Sequence, residues 1–376
     1  MRARDLGIVI GLGTPGPLNA ITDVAGVRVG HTTLVSGDGP LVVGSGPVRT
    51  GVTVVAPRSG DASREPVFAG CHSLNGNGEL TGLEWVRESG FLTSPVAITN
   101  THSVGVVHDA LVAIAVDVDA DRPAWSLPVV GETWDGLLND INGFHVKPEH
   151  VHQALDAASG GPVAEGGVGG GTGMVCHEFK GGIGTSSRTI PAKSGGFTVG
   201  VLVQANHGKR DWLRVDGVPV GREIGIDELS SPYGTTRSSA PPPGSGSIIV
   251  VVATDAPLLP HQCERLAQRA GLGIARAGGT GGHTSGDLFI AFATGNRFPD
   301  GAGDGEGQLG YDVRATGDGV IDLLFDATIE ATEEAIVNAL VAATTMVGRD
   351  GITAHALPHD RLVEVMTRYG RGQPHA

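Results

Sequence analysis

The sequence predicts an α+β fold in which helices cover mixed sheets. Three observations carry that expectation. Short runs of β-branched and apolar residues, bounded by glycine, recur along the chain as strand candidates. Helical stretches with recognisable ends fall between some of these runs and not between others. Strands and helices therefore do not alternate strictly, which disfavours a parallel doubly wound sheet and favours helix layers over mixed sheets. In order, the strand candidates are residues 8–10, 51–56, 95–100, 174–178, 197–204, 248–254, 288–294 and 320–325. Among the helices, "ELTGLEWVRESG" stops at Gly90, and "KPEHVHQALDAASGG" begins with Pro148, suited to a first helical turn. "LLPHQCERLAQRAG" ends at Gly271, and "DATIEATEEAIVNALVAATTMVG" has Asp326 as N-cap and Gly348 as stop. Residues 108–118 read as a further, buried helix. The one strong compositional break, residues 238–247, has the look of a linker.

With 376 residues, 40% of them hydrophobic, the chain can bury a substantial core as one large domain or two. A net charge of -14 argues against nucleic acid or an anionic membrane as partner. No apolar run approaches the roughly 18 residues of a membrane helix. The opening "MRARDLGIVIGLG" is short, glycine-broken and lacks a small-residue cleavage site, so it reads as a first strand rather than a signal peptide. Cys71, Cys176 and Cys263 lie far apart and are odd in number, which indicates neither a disulfide framework nor a zinc site. The expectation is a reduced, cytoplasmic protein. The 61 glycines, about twice the usual rate of roughly 7%, punctuate strands and turns where backbone bends sharply or approaches other backbone.

Three local motifs are weighed and set aside. "GLGTPG", Gly11 to Gly16, has the literal spacing of a dinucleotide loop, but Pro15 and Pro17 crowd the turn and no helix pattern follows. "GGVGGGTGM", Gly166 to Met174, superficially resembles a phosphate loop without its metal-binding or base-binding context, so a structural turn is expected. "CHEF", Cys176 to Phe179, offers Cys, His and Glu in succession. As a continuous strand it would split them across two faces, so no metal site is expected there.

The stretch "PPPGSGSIIVVVATDAP" carries more. Prolines, glycine and serine run straight into a β-branched strand with only Ser247 at the seam. The bland reading is a polar strand-entry residue. The functional reading is that the protein cuts its own Gly246–Ser247 bond. Ser247 Oγ would attack the Gly246 carbonyl and move the chain from amide to ester, and water would release the new end. Gly246, without a Cβ, suits the conformations this requires. The new N-terminal serine would carry its own amine, with an ordinary pKa near 7.7–8.0, as general base.

At this point "GSGSIIVVVATDAPLLPHQCERLAQRAGLGIARAGG", "SGDLFIAFATGN", "FKGGIGTSSR", "GETWDGLLND" and "GVTVVAPR" resemble the DmpA/BapA family of self-processing serine aminopeptidases, over essentially the whole chain. The resemblance implies a four-layer αββα sandwich shared with ornithine acetyltransferases. It also implies a single catalytic domain, residues 1–376, cut into an α chain of residues 1–246 and a β chain of residues 247–376, with several αβ pairs assembling. It makes Ser247 the nucleophile and Gly246 the end of the α chain, with Ser245 as the one local competitor. Ser285 and Asp287 match the family's second serine and nearby acid. Two apart at a strand start, they also share a face, although a plain Ser-Gly-Asp turn reads equally well from the residues alone. The β-aminopeptidases carry Glu where this chain has Asp287. Asn206 matches the amide that faces the developing oxyanion, against the bland reading of a turn-satisfying strand end. Glu132 matches the acid that receives a substrate ammonium, against a solvated surface acid. Trp134 beside it would line the side-chain pocket. "TNTHSVG" and "SLNGNGELTG" look like pocket loops without an assigned role.

The resulting expectation is an N-terminal serine aminopeptidase with an acyl-enzyme mechanism, no cofactor and no metal. It would act on short peptides, amino-acid amides or esters that carry a free amine. Two rivals differ in class. An acetyltransferase of the same architecture would as a rule use threonine. A non-enzymatic glycine-rich binding protein would remain one intact chain.

Overall fold

The computed structural model describes residues 1–60, 62–118, 125–234, 246–299 and 310–371. The chain runs through β1 (Arg28–Ser36), β2 (Val48–Ala56), β3 (Val67–Gly76), α1 (Leu83–Ser89), β4 (Phe91–Leu92), β5 (Val96–Asn100), α2 (Val104–Val118) and β6 (Val129–Thr133). It continues through α3 (Pro148–Asp156), β7 (Val175–Cys176), β8 (Phe179–Lys180), β9 (Gly182–Thr189), β10 (Thr198–Asn206) and α4 (Val220–Glu223). The last part holds β11 (Ser247–Thr254), α5 (Pro260–Arg276), β12 (Gly286–Ala293), α6 (Asp318–Ala342) and α7 (His359–Arg368). The larger sheet has the order β4-β3-β12-β11-β10-β9, and the smaller β1-β2-β5-β6.

Alternation along the strands sorts these elements into layers. On β11, Ile248, Val250 and Val252 join residues of α5 and α6 in one core cluster, while Ile249, Val251 and Ala253 join Val55, Ile98 and Val129 of the smaller sheet in a second. On the far side, Val52, Val54, Ala97 and Val130 pack against Val107 and Leu111 of α2 and Val151 of α3. Helix, sheet, sheet and helix thus stack as the expected αββα sandwich. A strand between two apolar layers has no polar face, so β11 reads as an unbroken run of Ile and Val.

Several expectations need correction. Residues 8–10 form no strand, although Ile8 and Ile10 are buried. Residues 320–325 lie within α6, because a β-branched run too short to specify a strand is absorbed into a 25-residue helix. α6 begins eight residues before Asp326 and ends before Gly348, while α5 continues past Gly271 to Arg276. Residues 174–178 are not one strand. His177 and Glu178 both take left-handed φ values, 49° and 63°, and turn β7 back onto β8. Strand β9 went unpredicted because its residues Thr185, Ser186, Ser187 and Arg188 are polar. They are buried against Asn19, Asp23 and Glu334. The linker expected at 238–247 and Ser245 lie outside the described residues except for Gly246 and Ser247.

The two glycine loops do structural work. Gly11 to Gly16 presents the N–H groups of Leu12 and Gly13 to the Glu330 carboxylate, both at 2.8 Å. Gly169–Gly171 forms one turn wedged against both sheets, where a Cβ on Gly170 would lie 2.6 Å from the Ile98 carbonyl oxygen.

Candidate active site

Ser247 opens β11, opposite Asn206 at the end of antiparallel β10. On its other side β11 runs parallel to β12, with Ile248 opposite Asp287. Two parallel strands that start at the same edge bring Ser247 and the segment 285–287 together. Ser247 shares its face with Ile249 and Val251, so it points between the sheets. There a cavity of about 520 Å³ is lined by Gly246, Ser247, Glu132, Trp134, Thr101 and the turn 76–79.

The seam is tight. A Cβ on Gly246 would lie 1.9 Å from the Asn206 carbonyl oxygen, so glycine is required there by close approach. Ser247 Oγ accepts a hydrogen bond from the Gly286 N–H at 3.0 Å. The Ser285 hydroxyl meets the Gly246 carbonyl oxygen and also Asp287 Oδ1, the latter at 2.7 Å. A hydroxyl has one proton, so these two acceptors compete for it. Burial pushes the Asp287 pKa up, opposed by hydrogen bonds from Ser285, Asn75 and the Ile248 N–H. With its shorter side chain, Asp287 meets Ser285 and Asn75, while Ser247 Oγ is met by the Gly286 N–H.

Asn206 is buried. Its Oδ1 accepts from the Val175 N–H at 2.8 Å, and its Nδ2 donates to the Trp134 carbonyl at 2.9 Å. One amide proton is left over, on the residue that the β10–β11 register sets directly opposite Ser247. Across the cavity, Glu132 on β6 is only 2% exposed, so the reading of a solvated surface acid fails. Its Oε1 accepts from the Glu79 N–H at 3.0 Å, and its Oε2 from the Thr101 hydroxyl. Burial pushes its pKa up, and these two bonds pull the other way. A Cβ on Gly78 would come within 2.9 Å of Glu132 Oε1, so glycine keeps the carboxylate accessible from the turn.

All six side chains singled out in the sequence lie around this one seam and cavity. Sequence reasoning missed Thr101, Asn75 and the N–H groups of Gly286 and Glu79. The first two lie in loops marked as pocket loops. Backbone donors carry no side-chain signal at all. The expectation that "CHEF" splits its side chains also fails. The turn at His177 brings one ligand-type atom from each of Cys176, His177 and His207 within 4.8 Å of the others.

A serine opening a buried strand inside an αββα sandwich, preceded by a glycine with no room for a Cβ, fits the N-terminal-nucleophile class of hydrolases. Residues 19–354 match Peptidase family S58. The chain is 53% identical over 374 residues to a β-peptidyl aminopeptidase BapA of Sphingosinicella microcystinivorans, covering 98% of this chain and 93% of that protein. It is 48% identical to the protein of the same name in Sphingosinicella xenopeptidilytica, covering 97% and 90%. Among solved structures, a β-aminopeptidase of Burkholderia sp. superposes with a TM-score of 0.91 at 55% identity, covering 100% of both chains. The L-aminopeptidase D-Ala-esterase/amidase of Ochrobactrum anthropi, described as a variant of the Ntn hydrolase fold, gives 0.88 at 45% identity, covering 99% of each. This chain belongs to Peptidase family S58. It is a serine-type aminopeptidase, a hydrolase of peptides or amides, which removes the non-enzymatic rival. Among the described residues no helix is long and apolar enough to cross a membrane.

Proposed function

We propose that the protein cuts itself between Gly246 and Ser247 and then uses Ser247 as an N-terminal nucleophile on substrates with a free amine. The observation that carries this is the convergence on one bond. The Gly246 carbonyl meets the Ser285 hydroxyl, and Ser247 Oγ is held by the Gly286 N–H. In self-cleavage, Oγ attacks the Gly246 carbonyl carbon and its proton passes to the Ser247 nitrogen as the C–N bond breaks, leaving an ester and a free α-amine. Water then hydrolyses the ester, giving the Gly246 carboxyl group and restoring the Ser247 hydroxyl. Ser285 supplies a hydrogen bond to the developing oxyanion. In turnover, the freed α-amine of Ser247 takes the Oγ proton as Oγ attacks the substrate carbonyl. The remaining Asn206 proton faces the oxyanion, and the Ser247 amine passes its proton to the departing amine or alcohol. Water then hydrolyses the acyl-enzyme to release the acid and restore the hydroxyl.

Glu132 receives the substrate ammonium, and Trp134 borders the side chain. Peptides, amino-acid amides and esters all present that amine beside a carbonyl. The same reading includes assembly of several αβ pairs in the cytoplasm, which light scattering and cell fractionation would check. A panel of L-α, D-α and β-amino-acyl p-nitroanilides would rank the substrates.

The test of processing is direct. Purified protein should separate into fragments 1–246 and 247–376 under denaturing conditions, and Edman sequencing of the smaller should begin Ser-Ile-Ile-Val. A single stable chain after long incubation would sink the mechanism.

A further inference from the structure

Behind the active-site asparagine lies a second cluster that the reaction does not use. We propose that Cys176, His177 and His207 form a buried, three-coordinate site for monovalent copper. Cys176 and His177 are fully buried, and His207 is 5% exposed. Cys176 Sγ lies 3.9 Å from His207 Nδ1. The Nε2 atoms of both histidines are buried without a hydrogen-bond partner, an unusual state for polar atoms. A trigonal centre with bonds of about 2.0–2.3 Å needs ligand atoms about 3.5–4 Å apart. The Cys176–His207 pair already has that spacing, and one ligand atom from each of the three residues lies within 4.8 Å of the others.

The backbone is bent to make it. His177 adopts left-handed φ, a conformation that costs free energy for a non-glycine residue and persists where its surroundings over-determine it. Its N–H donates to the His207 carbonyl at 2.6 Å, and Arg210 donates to the carbonyls of His177 and Glu178. Gly208 makes room for the ring, since a Cβ there would lie 2.4 Å from it. His177 Nδ1 is 3.0 Å from the Lys209 carbonyl, which can only accept. The proton therefore sits on Nδ1 and leaves Nε2 with a bare lone pair, the arrangement in which an outer hydrogen bond orients a metal-binding imidazole.

Charge selects the ion. The cluster contains no carboxylate, and Glu178 is committed to the Arg210 N–H at 3.0 Å. Lys180 Nζ is turned to the backbone carbonyls of Gly171, Met174 and Gly181 and supplies no ligand. One thiolate balances one positive charge, so a monovalent d¹⁰ ion and its three ligands form a neutral centre. A divalent ion would leave an uncompensated charge out of water. Soft thiolate with imidazole also suits copper(I). Binding forms one Cu–S and two Cu–N bonds and releases one proton from the Cys176 thiol to water, with no change of oxidation state.

The test titrates the full chain anaerobically with copper(I) against a coloured copper(I) chelator. One equivalent should bind, with X-ray absorption reporting one sulfur and two nitrogen neighbours. The melting temperature should rise on loading, because the ion binds the folded state. Cys176→Ser should lose that equivalent. A Cys71→Ser/Cys263→Ser double variant, in which Cys176 is the sole thiol, should keep it. Absence of stoichiometric binding in that double variant overturns the proposal. Unchanged copper affinity in Cys176→Ser, or stoichiometric zinc uptake without copper uptake, overturns it equally.

Discussion

The cavity has two walls, and they hold different kinds of group. The wall from the larger sheet carries Ser247, Ser285, Asp287 and the Gly286 N–H, all at the starts of β11 and β12 and all within one step of the Gly246–Ser247 bond. The wall from the smaller sheet carries Glu132, a buried carboxylate held by Thr101 and the Glu79 N–H. Among the described residues, the side chain hydrogen-bonded to the Gly246 carbonyl is Ser285, on the first wall. On the proposed function, bond-making and amine recognition fall to separate layers, and self-cleavage, which involves no free amine, should depend on only one of them.

The largest effect is expected on the first wall. Ser247→Ala should give a folded, uncleaved protein with no detectable turnover, because one hydroxyl at a strand start contributes little to packing. Normal cleavage and hydrolysis in that variant would mean the nucleophile is another residue. Next in size, Ser285→Ala removes a donor to the Gly246 oxygen. Self-cleavage should slow by about a hundredfold or more, the usual consequence of deleting an oxyanion donor. The same hydrogen bond sets a pH dependence. Burial raises the Asp287 pKa. Below that pKa the protonated carboxyl donates to Ser285, freeing the Ser285 proton for the carbonyl. Above it the carboxylate takes that proton. Cleavage of freshly refolded protein should therefore slow as pH rises through the Asp287 pKa, and a rate that climbs across that interval would refute the proton assignment.

The two walls were not equally legible in the sequence. β11 announces itself because both of its faces meet apolar layers, which its Ile and Val run fills, and the abrupt change of composition at Ser247 marks the seam. Strand β9 is just as buried, yet its Thr185 to Arg188 segment reads as loop, because its partners Asn19, Asp23 and Glu334 come from distant parts of the chain. Glu132 could be picked out only through family resemblance. Its burial depends on the turn at Gly78 and on Thr101, neither adjacent to it in sequence. The hairpin at His177 was illegible for a local reason, since two consecutive left-handed residues there include no glycine.

On the recognition wall the effects should be smaller and should spare processing. A charged hydrogen bond is typically worth about 1.5–3 kcal/mol. Glu132→Gln should therefore lower kcat/KM for amino-acyl substrates by roughly ten- to hundredfold. The cleaved fragments should still appear at the wild-type rate. N-acetylated substrate should not be turned over by the wild type. Efficient hydrolysis of it, or unchanged kinetics in the variant, would move amine binding elsewhere, with Asp287 the first candidate.

The smallest effect tests whether Thr101 acts through Glu132 or merely fills space. Its hydroxyl donates to Glu132 Oε2 and so stabilises the ionised carboxylate that burial disfavours. Thr101→Val keeps the shape and removes the donor. The Glu132 pKa should then rise further. Amine binding needs the carboxylate and is lost as pH falls through that pKa, so the acidic limb of the kcat/KM profile should move to higher pH. At neutral pH the loss should be about three- to tenfold, smaller than for Glu132→Gln because the carboxylate and its bond from the Glu79 N–H remain. Thr101→Ser, which restores the hydroxyl, should return the limb to its wild-type position, which a purely structural role would not require. Self-cleavage should be untouched in both variants. If Thr101→Val slows cleavage at the Gly246–Ser247 bond as much as it slows turnover, the two walls are mechanically coupled, and the division of labour drawn from their geometry fails.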